Sequence, residues 1–210
     1  MSPRRREELM RFARQAGAVI VEDDYDGEFR YDGSPLEALR GTTSASHVLY
    51  VGSFSKCMFP AIRLGFIVAP KWALPALIAA KNSTDWHCAI PIQTAVAEFI
   101  GDGHLTRHIR HVRRIYRDRR NHLLGLLEQN LSDKLSVVPS FYGMHVTAVA
   151  REDIDCDAVS AGAARGGIMV HSLSRYFLGA PTRSGIILGY AAADLDSLRI
   201  AVRALAEEFG

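Results

Sequence analysis

Apolar positions along the chain follow two rhythms, one helical and one extended, and the change between them marks the elements. Ser2 and Pro3 open a stretch with Glu7 and Glu8 early and Leu9, Phe12 and Ala13 on one face, the pattern of a capped helix that Gly17 ends. Residues 18–21 form a continuous apolar run, which predicts a buried parallel strand. A second strand is predicted over 48–51, stopped by Gly52, and a third over 64–69. Between the first two, residues 27–46 are rich in Gly27, Gly33, Pro35, Gly41, Thr43 and Ser44. They predict a loop with at most one short helical turn, at 36–39. Helices follow over 71–81, with Pro75 near the first turn, and over 91–100; Gly101-Asp102-Gly103 then breaks the chain. Leu105, Ile109, Val112, Tyr116, Leu123 and Leu127 repeat at helical spacing, so one unbroken helix is expected over 104–129, long enough to tie two lobes together. Apolar segments at 135–138, 144–149, 168–170 and 186–190 alternate with helices near 155–165 and 194–208, the order of a smaller α+β lobe.

Composition adds bounds rather than a function. The 210 residues carry a formal net charge of +2 and a pI near 8.5, too mild alone to argue for nucleic acid or an anionic membrane. Cys57, Cys88 and Cys156 are odd in number and lack CxxC spacing, so neither a disulfide framework nor a zinc ribbon is expected, and a reducing cytoplasm fits best. No apolar run approaches the roughly 18 residues of a membrane span, and the N-terminus has no signal-peptide core. The predicted long helix is rich in arginine (Arg107, Arg110, Arg113, Arg114, Arg117, Arg119, Arg120). Its basic residues lie on several faces without an aromatic ladder, which favours a solvated helix with ion-pair partners elsewhere over a nucleic-acid surface. His104 and His108 stand at i,i+4, but no carboxylate or cysteine completes a ligand set, and no metal is expected.

The chemistry concentrates in two places. Lys56 is one of only four lysines against twenty-one arginines, and it sits between two apolar segments. Burial there is expected to desolvate it and free its amine to attack a carbonyl. Ser53, Ser55 and Arg63 add hydroxyls and a guanidinium suited to a phosphate. Glu22, Asp23, Asp24, Tyr25 and Asp26 crowd the carboxyl end of the first predicted strand, where ligands of open α/β sheets gather. Alone, that acidic run reads as a solvated turn. With Lys56 it matches what a pyridine aldehyde cofactor needs: a carboxylate for the ring nitrogen, a phenol near the ring hydroxyl, a lysine for the aldehyde, and donors for the phosphate.

Taken together, Glu22-Asp23-Asp24-Tyr25-Asp26-Gly27-Glu28-Phe29-Arg30-Tyr31, Ser53-Phe54-Ser55-Lys56 and Phe59-Pro60-Ala61-Ile62-Arg63-Leu64-Gly65 resemble the fold-type I aminotransferase superfamily. Within it the sequence is most similar to the aminotransferase-like domain of MocR-type regulators, in which a GntR-type winged helix-turn-helix precedes that domain. The resemblance implies an α/β fold: part of the fold-type I PLP-dependent transferase large domain over 1–103, then a linking long helix and a smaller α+β C-terminal domain over 104–210. It implies that Lys56 forms the internal aldimine with pyridoxal 5'-phosphate, that Asp23 pairs with the pyridine nitrogen, that Tyr25 contacts the ring oxygen, and that Ser53, Ser55 and Arg63 hold the phosphate.

Two departures qualify the match. Aminotransferases of this class carry an arginine for the substrate carboxylate near the last strand, whereas Ser184-Gly185-Ile186-Ile187-Leu188-Gly189-Tyr190 has none. Arg175 is the nearest substitute and resembles a carboxylate-binding position of the MocR-type domains; the alternative is a surface or inter-lobe ion pair. The family's domain also begins upstream of Met1, with a Gly-rich phosphate loop and a ring-stacking aromatic that this sequence does not contain. The expectation is an effector domain that binds an amine or amino acid through an aldimine. The alternatives are a catalytic class I/II aminotransferase that passes an amino group to a 2-oxo acid, and an incomplete chain that binds no cofactor alone. A homodimer in the cytoplasm is expected, with no membrane contact and with DNA reached only through a winged helix absent here.

Overall fold

The computed structural model describes residues 1–32, 37–42 and 46–210. Gly33, Pro35, Leu36, Thr43 and Ser44 of the predicted loop lie outside the described residues. The chain forms two compact units, residues 1–28 with 33–109 and residues 29–32 with 110–210.

The first unit opens with α1 (Pro3–Ala16). Ser2 caps it by accepting from the Arg5 N–H, and Gly17 ends it at φ +60°, a left-handed conformation that costs glycine little. The apolar face runs through Met10 and Ala13, and Phe12, expected on it, is exposed. Met10 packs with Leu39 and Val48, and Leu9 and Ile20 lie against them. Strands β1 (Ile20–Asp24), β2 (Val48–Ser53) and β3 (Gly65–Val68) form one sheet in that order, β1 parallel to β2 and β3 antiparallel to it. The parallel pairing matches the apolar run at 18–21, but the expected burial is absent. Along β1 the half-buried Ile20, Glu22 and Asp24 alternate with exposed Val21 and Asp23, and all four residues of β3 are exposed. The Met10, Leu39 and Val48 cluster covers one face of the sheet, so the apolar run is buried on one side only.

Close packing on β2 is set by glycine. A Cβ on Gly52 would stand 2.4 Å from the Phe66 ring, which lies between the rings of Tyr50 (6.0 Å) and Phe54 (5.4 Å). The chain continues through α2 (Phe54–Cys57), a 3-10 turn at Pro60–Ile62 before β3, another at Lys71–Ala73, α3 (Leu74–Thr84), α4 (Ile90–Gly101) and the long α5 (His104–Leu131). Helices were expected at all of these last positions; the one over 71–81 begins as a tighter turn. No helix among the described residues is long and apolar enough to cross a membrane.

The second unit has a four-stranded antiparallel sheet in the order β4-β5-β7-β6: β4 (Leu135–Val137), β5 (His145–Ala150), β6 (His171–Ser172) and β7 (Gly185–Gly189). With α6 (Cys156–Arg165) and α7 (Leu195–Phe209) it encloses a core that includes Leu127, Ala148, Ile186, Tyr190 and Leu205. The strand predicted over 168–170 is absent. The Ile168 N–H turns back to the Ala163 carbonyl to close α6 beyond Gly167, at φ +80°, and pairing with β7 starts only at His171. Phe29, Arg30 and Tyr31 pack in this unit. Phe29 is fully buried against Tyr116, Arg30 bridges to Tyr142, and the Tyr31 and Tyr190 hydroxyls both donate to the Gly143 carbonyl, at 2.8 and 2.6 Å.

Candidate functional site

The register of the first sheet brings the candidate residues to one end. Asp23 lies opposite Val51 and Asp24 opposite Gly52, so parallel β1 and β2 finish together. Ser53 closes β2 opposite Gly65, the first residue of antiparallel β3. The carboxyl ends of β1 and β2 and the start of β3 therefore share an edge, where Asp23, Tyr25, Ser53, Ser55, Lys56 and Arg63 are all found. Arg175 belongs to the second unit, exposed on a 3-10 turn over Leu173–Tyr176. That turn is pinned by Ser172, which caps Ser174, and by the Ser174 hydroxyl, which donates to Asp157 at 2.5 Å.

Each group is held differently. The Ser53 oxygen accepts from the Ser55 N–H at 3.1 Å, which fixes the turn into α2 and leaves the Ser53 O–H able to donate. Arg63 adopts φ +48°, ψ +38°, a left-handed conformation uncommon outside glycine, which swings the chain from the 3-10 turn into β3. Phe54 and Cys57 are the buried positions of α2, and Lys56 between them is exposed. The expected desolvation of Lys56 is thus corrected: a four-residue helix buries two side chains and turns the lysine outward. Among the described residues Lys56 takes part in none of the ion pairs, which are Arg4–Glu8, Lys81–Asp85 and Arg199–Asp196. Asp23 and Tyr25 are also exposed, so these groups form a shelf rather than a closed pocket.

The supporting layer beneath the shelf was missed by sequence reasoning. Asp24 accepts from the Gly27 N–H through Oδ1 and from the Tyr50 hydroxyl through Oδ2, both at 2.9 Å. Aspartate three residues before glycine is the signal of such a turn and was legible; the tyrosine partner required the strand register. Burial and then the Asp24 hydrogen bond push the Tyr50 phenol up, keeping it a donor. Burial is also the main cause that raises the Glu28 carboxyl, with Asp24 and Asp26 adding repulsion, and burial with Glu28 pushes the Cys57 thiol up to about 11. A cavity of about 410 Å³ in the second unit is lined by Leu123, Met169, Val170, Leu188 and Leu198 and carries no candidate residue. No group of three or more metal-ligating side chains occurs among the described residues. On α5, Arg119 and Arg120 donate to the carbonyls of Ala191 and Ser140, so two of the arginines fasten loops of the second unit, through carbonyls rather than carboxylates.

Architecture and strand order define an α/β fold that matches about half of a fold-type I aminotransferase. The chain overlays a solved kynurenine aminotransferase of Pyrococcus horikoshii with a TM-score of 0.90 at 26% identity, covering 99% of this chain and 52% of that one. The aminotransferase class I and II family model matches residues 1–205, and the chain belongs to that family. It is 32% identical over 201 residues to the probable rhizopine catabolism regulatory protein MocR of Rhizobium meliloti, 96% of this chain and 41% of that protein. It is 28% identical over 207 residues to aromatic-amino-acid aminotransferase 1 of Thermococcus litoralis, 99% of this chain and 50% of that protein. The chain therefore spans about half the length, or less, of the curated relatives it matches, and it is an aminotransferase-like domain related to MocR-type regulators.

Proposed function

We propose that this domain is the effector part of a MocR-type transcriptional regulator, that it holds pyridoxal 5'-phosphate, and that it recognises an amine or amino acid. One observation carries the reading. A carboxylate at the end of β1, hydroxyls and a lysine after β2, and an arginine before β3 emerge at one edge of a single sheet. The donor set fits the cofactor: an exposed amine outside every ion pair of the described residues, a separate carboxylate, and hydroxyl and guanidinium donors suited to a phosphate.

When bound, the cofactor supplies an aldehyde for amine capture and an electron-withdrawing ring. Lys56, through Nζ, would be the residue that holds the aldehyde. With an amine ligand bound, Lys56 Nζ would be the group placed to take up or return a proton. Asp23 holds the proton on the ring nitrogen, Tyr25 donates to the ring oxygen, and Ser53, Ser55 and Arg63 hold the phosphate. Arg175 takes the carboxylate of an amino-acid ligand. In this reading residues 1–103 carry the cofactor and 104–210 the linking helix and smaller lobe. The whole protein works in the cytoplasm as a homodimer that meets DNA through a winged helix outside this sequence.

The test is spectroscopic. Added pyridoxal 5'-phosphate gives a visible absorption band, and borohydride fixes the cofactor's mass on the Lys56 peptide. An identical band from Lys56→Ala overturns the assignment, and no band from either protein supports a chain that binds no cofactor alone. Similarity to solved and curated aminotransferases over nearly the whole chain favours a second reading, a catalytic aminotransferase. The absence of arginine from the β7 segment, where Ile187 sits half-buried, weighs toward the regulator. Multiple turnovers of a 2-oxo acid to the amino acid would establish the enzyme instead.

A further inference from the structure

We infer that Asp24 is a positioning residue for the proposed cofactor site, acting through Asp23 and Tyr25 with Tyr50 and Gly27 as its partners; the inference rests on the cofactor reading above. Neighbouring residues of a strand point to opposite faces. Asp23 is exposed on one face of β1, and Asp24 is directed to the other, where its carboxylate is gripped at both oxygens. The bond from the Gly27 N–H to Oδ1 closes a short ring of chain that contains Tyr25. The bond from the Tyr50 hydroxyl to Oδ2 ties that ring to β2, the strand that leads into Lys56. Two hydrogen bonds to one carboxylate thus fix the acidic turn relative to the lysine-bearing strand, and hydrogen bonds to a charged group are the stronger kind.

The fit is close on both sides. A Cβ on Gly27 would lie 2.4 Å from Asp24 Oδ1, so any larger residue there would displace the carboxylate. The Tyr50 ring is held beside Phe66, which fills the space left by Gly52, so the phenol has little freedom to follow a displaced partner. Burial and the Asp24 carboxylate favour the protonated phenol of Tyr50, whose one proton is donated to Asp24 Oδ2. Asp24 consequently sets the direction in which Asp23 and Tyr25 leave the sheet edge, without touching the cofactor itself.

The test uses the full chain with pyridoxal 5'-phosphate as the probe. Tyr50→Phe removes one hydroxyl and keeps the ring packed against Phe66, and a single cooperative thermal unfolding transition verifies the fold. The expected result is cofactor binding weakened about two- to tenfold, the fold-change equivalent of one net hydrogen bond. The pH midpoint of the visible band should rise, because a less well-placed Asp23 leaves the ring nitrogen less protonated and the chromophore then holds its own proton more tightly. Asp23→Asn raises the midpoint further, and adding Tyr50→Phe to Asp23→Asn raises it no more, since the effect passes through Asp23. Asp24→Asn, which keeps one acceptor oxygen, falls between the wild type and Asp24→Ala. A midpoint and affinity in Tyr50→Phe equal to wild type overturn the inference while leaving the cofactor reading intact. Equal shifts in the presence and absence of Asp23 reduce Asp24 to a structural role and also overturn it. A wild-type chain without a Lys56-dependent band removes both readings at once.

Discussion

Two glycines of one strand should respond to the same substitution with opposite signs. On β7, a Cβ built on Gly185 would stand 2.4 Å from the Ala148 carbonyl oxygen and 2.9 Å from the Val149 Cα of the paired strand β5. It would also lie 2.7 Å from Leu173 Cδ1, at the start of the turn that carries Arg175. Backbone atoms of a paired strand cannot rotate away, so Gly185→Ala must open the β5–β7 ladder or shift the turn. Overpacking of this kind costs about 1–3 kcal/mol. The loss of unfolded-state freedom returns about 0.4–1 kcal/mol. The net expectation is a destabilisation of roughly 1–2 kcal/mol. Gly189, four residues on, has nothing within 4 Å of a built Cβ and no positive φ. There only the gain remains, so Gly189→Ala should stabilise by up to about 1 kcal/mol. Urea unfolding followed by tyrosine emission and by amide exchange on β5 and β7 reads the result, because both tryptophans, Trp72 and Trp86, lie in the first unit. Equal midpoints for Gly185→Ala and wild type, or a fall for Gly189→Ala, would refute the packing argument.

Other consequences follow from single contacts. Tyr190→Phe removes one of two hydroxyls that donate to the Gly143 carbonyl; the Tyr31 hydroxyl remains, so the loss should be about 1 kcal/mol in the same unfolding assay. The Asp157 carboxyl lies below the usual carboxylate range because the Ser174 and Ser172 hydroxyls donate to it. Its folded value is depressed, so its contribution to stability is present above the ordinary carboxylate range and is lost as pH falls through the folded value. Ser174→Ala should therefore lower stability at neutral pH, leave it unchanged in acid where the carboxyl is protonated in both states, and so flatten the acid limb of a stability–pH curve. The Cys57 thiol, pushed up to about 11 by burial and Glu28, should resist alkylation at neutral pH while half-exposed Cys88 is modified, as peptide mass spectrometry would report.

What the sequence made legible here was local or strongly periodic. Ser2, Pro3 and Gly17 bounded α1 correctly, and the 3.6-residue repeat from Leu105 to Leu127 marked α5, because caps and periodicity need no knowledge of distant residues. The strand expected at 168–170 failed for a reason propensity cannot see: the Gly167 turn spends the Ile168 N–H on closing α6. Phe29-Arg30-Tyr31 reads as one block with the acidic turn, yet Phe29 packs on Tyr116 and Tyr31 bonds Gly143, contacts separated by scores of residues. Those three of the ten residues from Glu22 to Tyr31 are therefore structural rather than part of the sheet edge.

Burial was the quantity that sequence could not supply at the site. An apolar run predicts that a strand can be covered, whereas coverage depends on what packs over each face. In the first unit that cover is Met10 and Leu39 on one side of β1 and β2, so Ile20 is half-buried and Val21 is 61% exposed although the two are adjacent and equally apolar. Lys56 follows the same logic: its neighbours Phe54 and Cys57 take the buried positions of α2, and the lysine faces outward. The candidate groups are chosen by residue type and order, since their chemistry is carried by the side chains themselves. Their alignment rests on the Asp24↔Gly52 and Ser53↔Gly65 pairings, which are properties of the fold. An amine reactive toward aldehydes need not be desolvated in advance, provided that it is free of ion pairs and held at the right edge, so the exposure of Lys56 removes one argument for its role without removing its geometry.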